Sequence, residues 1–186
     1  MSILSFLEWL GSTRWSVALL ESLYMWPFVE STHVLSLGLF VGTAAMNDLR
    51  LLGLTLKSVP VSEITTRLLW RTRAGFVVMV VTGLLLFYSS PVRYYHNIFF
   101  RLKVILLILA GLNAWLFHAR IHRSVAEWDL DAVTPRAARV AAAVSLIAWA
   151  CIVVTGRLIA YNWFDCDIQP QPDFVNWAAG CVVGAQ

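Results

Sequence analysis

Four long apolar runs constrain this chain more than any other feature: about Met25–Asn47, Ala74–Tyr88, Ile98–Ala119 and Ala137–Trp163. A hydrocarbon core of ~30 Å takes about 20 helical residues to cross. Backbone polar groups in lipid must be satisfied within their own segment, so the runs predict helices. The alternation of a membrane β-strand is absent. The second run is the short one, at 15 residues. It is expected to extend toward Arg71 or Ser90, with Arg71 and Arg73 reaching out of the lipid. The predicted fold is an all-α membrane protein, a four-transmembrane-helix up-down bundle.

Composition supports this class. Of 186 residues, 59% are hydrophobic and only 13% charged, against about 25% charged in soluble domains. That is too few charges to coat a soluble surface. It excludes a typical soluble enzyme, a disordered tail and a nucleic-acid module. The net charge of +3 is explained by position. Residues 48–73 carry Arg50, Lys57, Arg67, Arg71 and Arg73, and residues 119–139 carry Arg120, Arg123, Arg136 and Arg139. The other side has Arg14 and Arg93 in its segments, while the C-terminal tail has Asp165, Asp167 and Asp173. This asymmetry predicts basic loops inside and both termini outside, on the periplasmic face of a bacterial inner membrane. The basic loops then meet anionic lipid headgroups and need no nucleic acid.

Three regions are expected. Residues 1–24 read as an outer-face amphipathic segment with an N-terminal interfacial helix, in two pieces, Ile3–Leu10 and Trp15–Trp26. Their aromatic residues favour the headgroup layer. A signal peptide is not expected, because residues 1–13 hold no basic residue. Residues 25–163 form the bundle, with Pro27 suited to a first helical turn. Residues 164–186 form an outer-face tail, a surface flap. Cys166 and Cys181 lie in that tail, where an oxidising periplasm permits a disulfide; two free thiols are the alternative. Cys151 is mid-span and reads as a small packing residue.

Ionisable groups within spans are the candidate functional residues, since lipid tolerates them only where they face a partner. At about 100° per residue, faces follow from separation. Glu30, His33, Leu37, Ala44 and Asp48 share an arc on the first span. Gly75, Met79, Thr82 and Leu86 share one on the second, and His96, Lys103, Ala110, Ala114 and His118 one on the third. Ala143, Ala150, Arg157 and Tyr161 share one on the fourth. Small and polar residues on one face mark a packed interior. Arg101 points away from Lys103 and is expected to snorkel outward. By depth, Glu30, His33, His96, Lys103, Arg157 and Tyr161 converge in the outer half. Asp48, Asn113, His118 and His122 form a looser inner group.

Neutral imidazole suits haem iron, and buried propionates need cationic partners. His33 is the prime axial candidate, with His96 or His118 as alternatives, and Lys103 and Arg157 as propionate or quinone-headgroup partners. His33 and His118 differ in depth by ~20 Å at 1.5 Å per residue, so they do not serve one iron. His118 and His122 share one helix face and cannot flank one iron. No Cys-x-x-Cys-His run occurs, so covalent haem is not expected. Each histidine also has a plainer reading, as a surface base or an interhelical hydrogen-bonding group. Glu30 with Lys103 or Arg157 also reads as a locking ion pair. Walker A, dinucleotide-binding, zincin and nucleophile-elbow patterns are absent.

The strings Thr32-His33-Val34-Leu35-Ser36-Leu37-Gly38, Thr82-Gly83-Leu84-Leu85-Leu86-Phe87, Leu112-Asn113-Ala114-Trp115-Leu116-Phe117-His118 and Gly156-Arg157-Leu158-Ile159-Ala160-Tyr161 carry a resemblance. They resemble an uncharacterised bacterial four-span membrane family, similar in layout to copper-resistance D-like proteins and to small b-type cytochromes. The resemblance spans Pro27 to Trp163. It implies an inner-membrane location and directs attention to His33, Lys103, His118 and Arg157. The chain departs from dihaem cytochromes in lacking two level-matched histidine pairs.

Three functions fit. The first is a redox subunit that holds haem b and passes electrons between quinol and a periplasmic acceptor. The second is a transport or metal-handling protein with an outward-facing polar pocket of Glu30, His33, Lys103 and Arg157. The third is a structural or assembly subunit whose polar residues only lock the bundle.

Overall fold

The computed structural model describes residues 2–121, 125–129, 131 and 134–181. Four of its helices are long and apolar enough to cross a membrane, so this is a multi-pass, all-α architecture. In chain order the helices are α1 (Ile3–Gly11), α2 (Arg14–Leu20), α3 (Met25–Leu51), α4 (Val61–Ser89), α5 (Pro91–Tyr95), α6 (Ile98–Leu116), α7 (Val125–Trp128), α8 (Arg136–Leu158) and α9 (Asp173–Ala179). A π-helical turn, Phe117–Ile121, continues α6. The four spans are α3, α4, α6 and α8, running up and down. The pairs α3–α4 and α6–α8 pack as hairpins, and α3 also packs on α8.

Helix α4 begins well before the expected second run. Its 29 residues make a rod of ~43 Å at 1.5 Å per residue, longer than a hydrocarbon core. Val61–Arg73 is helical although charged, for two local reasons. Pro60 supplies a fixed φ of −55° at the start. The Asp129 carboxylate accepts hydrogen bonds from the Ser62 N–H (2.8 Å) and the Ser62 hydroxyl, satisfying donors that the helix itself leaves open. Glu63 and Arg67 then pair one turn apart at 2.5 Å.

The α3–α4 hairpin holds one antiparallel register through polar and small residues. Thr72 donates to Thr43 (2.9 Å), and Thr65 donates to Asn47 (3.1 Å). Gly75 faces the backbone of Phe40, where an added Cβ would sit 3.0 Å from its nitrogen. The α3–α8 contact includes Phe40 against Trp149, edge to face at 4.8 Å. On α6–α8, Asn113 donates to the Ala141 carbonyl (3.0 Å), and Ala110, Ala148 and Ile152 form a buried cluster.

The basic end, called inner below, is closed by a second cluster of Leu51, Val61, Phe117, Trp128, Ala138 and Ala142. Arg50 is buried there and donates to the Val59 carbonyl (2.8 Å). At the outer end the Thr13 and Tyr88 hydroxyls hydrogen-bond at 2.6 Å, and Ser16 donates to the Tyr88 carbonyl (2.7 Å). These bonds pin α1 and α2 over the outer end of α4. Trp9 and Trp15 stay exposed.

The fourth span departs from its expected face. Ala150, Arg157 and Tyr161 are exposed, whereas Ala138, Ala142, Ala148, Ile152 and Thr155 are buried. The arc drawn through Arg157 follows a charge at the outer boundary, where a long side chain leaves the lipid without turning inward. The tail is more than a flap. Helix α9 ends on Gly180 in the left-handed region at φ 70°, and Cys166 and Cys181 form a disulfide.

Candidate functional site

His33 lies in the outer half of α3 and faces α4. Its Nδ1 is 3.0 Å from the Met79 carbonyl and 3.0 Å from the Thr82 hydroxyl. The Thr82 hydroxyl donates to the Val78 carbonyl (2.7 Å), so toward His33 it accepts. A carbonyl can only accept. Both partners therefore require Nδ1 to carry the proton, which leaves the Nε2 lone pair as the free face of the ring. The ring fits because position 83 has no side chain: a Cβ there would lie 3.1 Å from His33 Cε1.

Lys103 reaches from α6 toward α8. Its ammonium lies 3.1 Å from where a Cβ of Gly156 would be, and its charge acts on the His33 imidazole. Lys103 is half-buried and has no carboxylate partner among the described residues, where the ion pair is Glu63–Arg67. The His33 imidazole against α4 and the Lys103 ammonium against α8 are thus within electrostatic reach of each other. A coordinating atom and an anionic oxygen are what this pair can bind.

The other expected members do not join them. Glu30 is exposed and makes no ion pair with Lys103 or Arg157 among the described residues. It acts instead on Tyr94 in α5, whose phenol pKa is pushed up by burial and by Glu30, against the Arg93 charge. Arg157 is exposed and turned to Tyr161 on its own helix end, with its guanidinium 5.4 Å from the ring centroid and 3.5 Å from the hydroxyl. Tyr161 stacks on Trp163 at 5.6 Å, an arrangement suited to an interfacial aromatic belt.

His96 holds the tail, with Nδ1 donating to the Ala179 carbonyl at 3.1 Å. Arg101 does not snorkel. It donates to the Tyr95 carbonyl (2.8 Å) and the Ala178 carbonyl (2.8 Å), and lies over the Tyr95 ring at 4.7 Å. A guanidinium on the last carbonyls of α9 completes that helix end. His118 is at the far end, exposed, with Nδ1 against the Ala114 carbonyl (2.8 Å). His122 lies outside the described residues. The inner group is dispersed: Asp48 is buried against the Ser145 hydroxyl with Oδ2 unpaired, while Asn113 serves α8. No group of three His, Cys, Asp or Glu residues placed to hold a metal ion occurs among the described residues.

Sequence reasoning missed Gly83 and Gly156 as notches for the two candidate side chains. A glycine weakens a helix interior by about 1 kcal/mol relative to alanine, so each glycine in a span invites the question of what approaches it. It also missed Arg101 as the tail clamp and Asp129 as the cap of α4.

The sequence pattern of a family of unknown function (DUF6644) matches residues 3–162. The chain belongs to this family. The family match takes in α1, α2 and all four spans, and therefore both His33 and Lys103. No curated protein and no solved structure matches the chain.

Proposed function

We propose that this protein is a membrane electron-transfer subunit that holds haem b in the outer half of its bundle. His33 would hold its iron, and Lys103 would hold a propionate. The observation that carries this reading is the His33 ring. Its Nδ1–H is fixed on the Met79 carbonyl, and that second bond orients a ligating imidazole and raises its basicity at Nε2. Haem suits the residues because it brings its own equatorial donors, so a single imidazole is enough to attach it. Haem b would supply one-electron chemistry at its iron. Lys103 would neutralise a carboxylate that lipid otherwise excludes, and Gly83 and Gly156 each leave room for one of the two side chains. His96 lies against the tail and His118 is exposed at the other end of the bundle, so His33 is the histidine that faces a neighbouring span.

The partners in this reading are quinol and a periplasmic acceptor, in the inner membrane of a bacterium with both termini outside. The distribution of Lys and Arg supports that orientation. Cysteines placed at Lys57 and at Arg93 should label from opposite sides of sealed vesicles.

The test is a visible spectrum. Protein produced with haem supply and purified should show a Soret band that changes on reduction, and His33→Ala should abolish it. Wild-type protein without a Soret band overturns the reading. A second reading rests on Lys103 alone: an unpaired ammonium between helices also suits transport of a small anion. Uptake that survives Lys103→Met removes that alternative.

A further inference from the structure

We infer that the inner ends of α6 and α8 form a binding site for one anionic phospholipid. A groove of about 470 Å³ lies there, within the ~300–1,000 Å³ of small-ligand sites. Leu116, Phe117, Val140 and Ala141 give it apolar walls, and Arg136 and Ala137, the exposed first residues of α8, also line it. Its one amide, Asn113, spends one N–H on the Ala141 carbonyl at 3.0 Å, so the walls are mostly hydrocarbon. Alanine at 137 and 141 leaves the room that larger side chains would fill. The π-helical turn Phe117–Ile121 starts at the same place. Such turns interrupt the regular ladder of a helix and recur at functional sites.

Charge fixes the occupant. Arg136 is the first residue of α8, exposed, with no hydrogen bond or ion pair among the described residues. It stands at the basic end of the bundle, where the helices meet the headgroup layer. A cation over an apolar groove at that depth matches a phosphate over an acyl chain. A zwitterionic lipid carries its own ammonium beside the phosphate and fits Arg136 less well. The site lies at the opposite end from His33 and does not depend on haem.

Native mass spectrometry of the full-length protein, stripped in detergent and titrated with phosphatidylglycerol or phosphatidylcholine, tests this. Wild type should retain phosphatidylglycerol over phosphatidylcholine by about fivefold, the equivalent of the ~1 kcal/mol contributed by one basic residue near an anionic surface. Arg136→Gln should erase the preference. Arg139→Gln, a neighbouring exposed charge outside the groove, should leave it. Ala137→Phe should lower retention of both lipids. All three substitutions are at exposed positions, so the folded bundle should survive them. Equal loss in the Arg136 and Arg139 variants would mean general surface charge, and the site would be wrong. Ala137→Phe that changes the oligomeric state while sparing lipid retention would make the groove a contact between copies and overturn the assignment.

Discussion

Lys103 on α6 and Gly156 on α8 fit each other across the bundle: the ammonium stands 3.1 Å from where a side chain at position 156 would begin. His33 and Gly83 repeat that relationship across α3–α4, also at 3.1 Å. Two side chains able to bind a ligand therefore each face a residue that has been reduced to backbone. The glycines make room for these two side chains, and substituting them separates space from charge.

Alanine at the three tight glycines within the spans should have three different outcomes. Gly75→Ala meets the Phe40 backbone, which cannot turn aside, and should destabilise by about 1–3 kcal/mol, the usual range for overpacking. Gly156→Ala meets only the flexible end of Lys103. It should leave stability nearly unchanged while lowering ligand retention. Gly83→Ala should do both, because the His33 ring is held by two hydrogen bonds. Gly111→Ala enters open space and should stabilise by up to about 1 kcal/mol. Thermal unfolding in detergent, with and without haem, reads all four.

Removing the unpaired charge should help the empty protein. An isolated lysine at the centre of a span costs roughly 2.5–3.5 kcal/mol on insertion scales; Lys103 lies nearer the outer end, so Lys103→Met should recover part of that. Ligand-free Lys103→Met is expected to melt higher than wild type, and to gain less on adding haem. A lower melting point for the empty variant would identify Lys103 as a structural lock.

Acid should loosen the inner end through Asp129. Burial alone would raise its carboxyl pKa, but hydrogen bonds from the Ser62 hydroxyl and the Ser62 and Val61 N–H groups, with the Arg50 charge, hold it below the ordinary value. A depressed folded pKa contributes stability that is complete above the unfolded value of about 3.9 and is lost as pH falls through the folded one. Asp129→Ala should cost about 1 kcal/mol at neutral pH, as for a lost helix cap. The stability gap between the two proteins should close in acid. Urea unfolding from pH 7 down to pH 3 checks the slope.

Tail docking should need two supports. The 15-residue separation of Cys166 and Cys181 corresponds to roughly 3 kcal/mol in the loop-entropy account. The Arg101 bond to Ala178 is a charge-assisted bond of about 1.5–3 kcal/mol. Limited proteolysis after Ile168 should be slow in wild type, faster in Arg101→Ala, and fastest when Arg101→Ala is combined with Cys166→Ser and Cys181→Ser.

The spans were legible because lipid imposes one rule on every backbone group, and apolar length reports it directly. The inner part of α4 was hidden for the complementary reason. Once outside lipid, Val61–Arg73 is held by a cap from Asp129, distant in sequence, and hydropathy carries no trace of it. Faces were read unevenly. Gly75, Met79 and Thr82 were placed together because small and polar residues coincide there. The face of α8 was misplaced because in a membrane both sides of a helix are apolar, and Arg157 drew the arc toward the interface. His33 and Lys103 stood out as ionisable groups within spans. What each one touches depended on how α3 sets against α4 and α6 against α8, and a hydropathy profile does not contain that setting.

The tail clamp also gives the molecule an order of assembly. Arg101 and His96 find their acceptors in chain made 77 and 83 residues later. Helix α6 therefore enters the membrane with a guanidinium at its outer end that has only Tyr95, water and headgroups for company. The bundle can be threaded before α9 exists, but the outer rim around α6 is completed only after α8 has crossed and delivered the tail to the same side. Threading the spans and completing the outer rim are thus separate events in the birth of this protein.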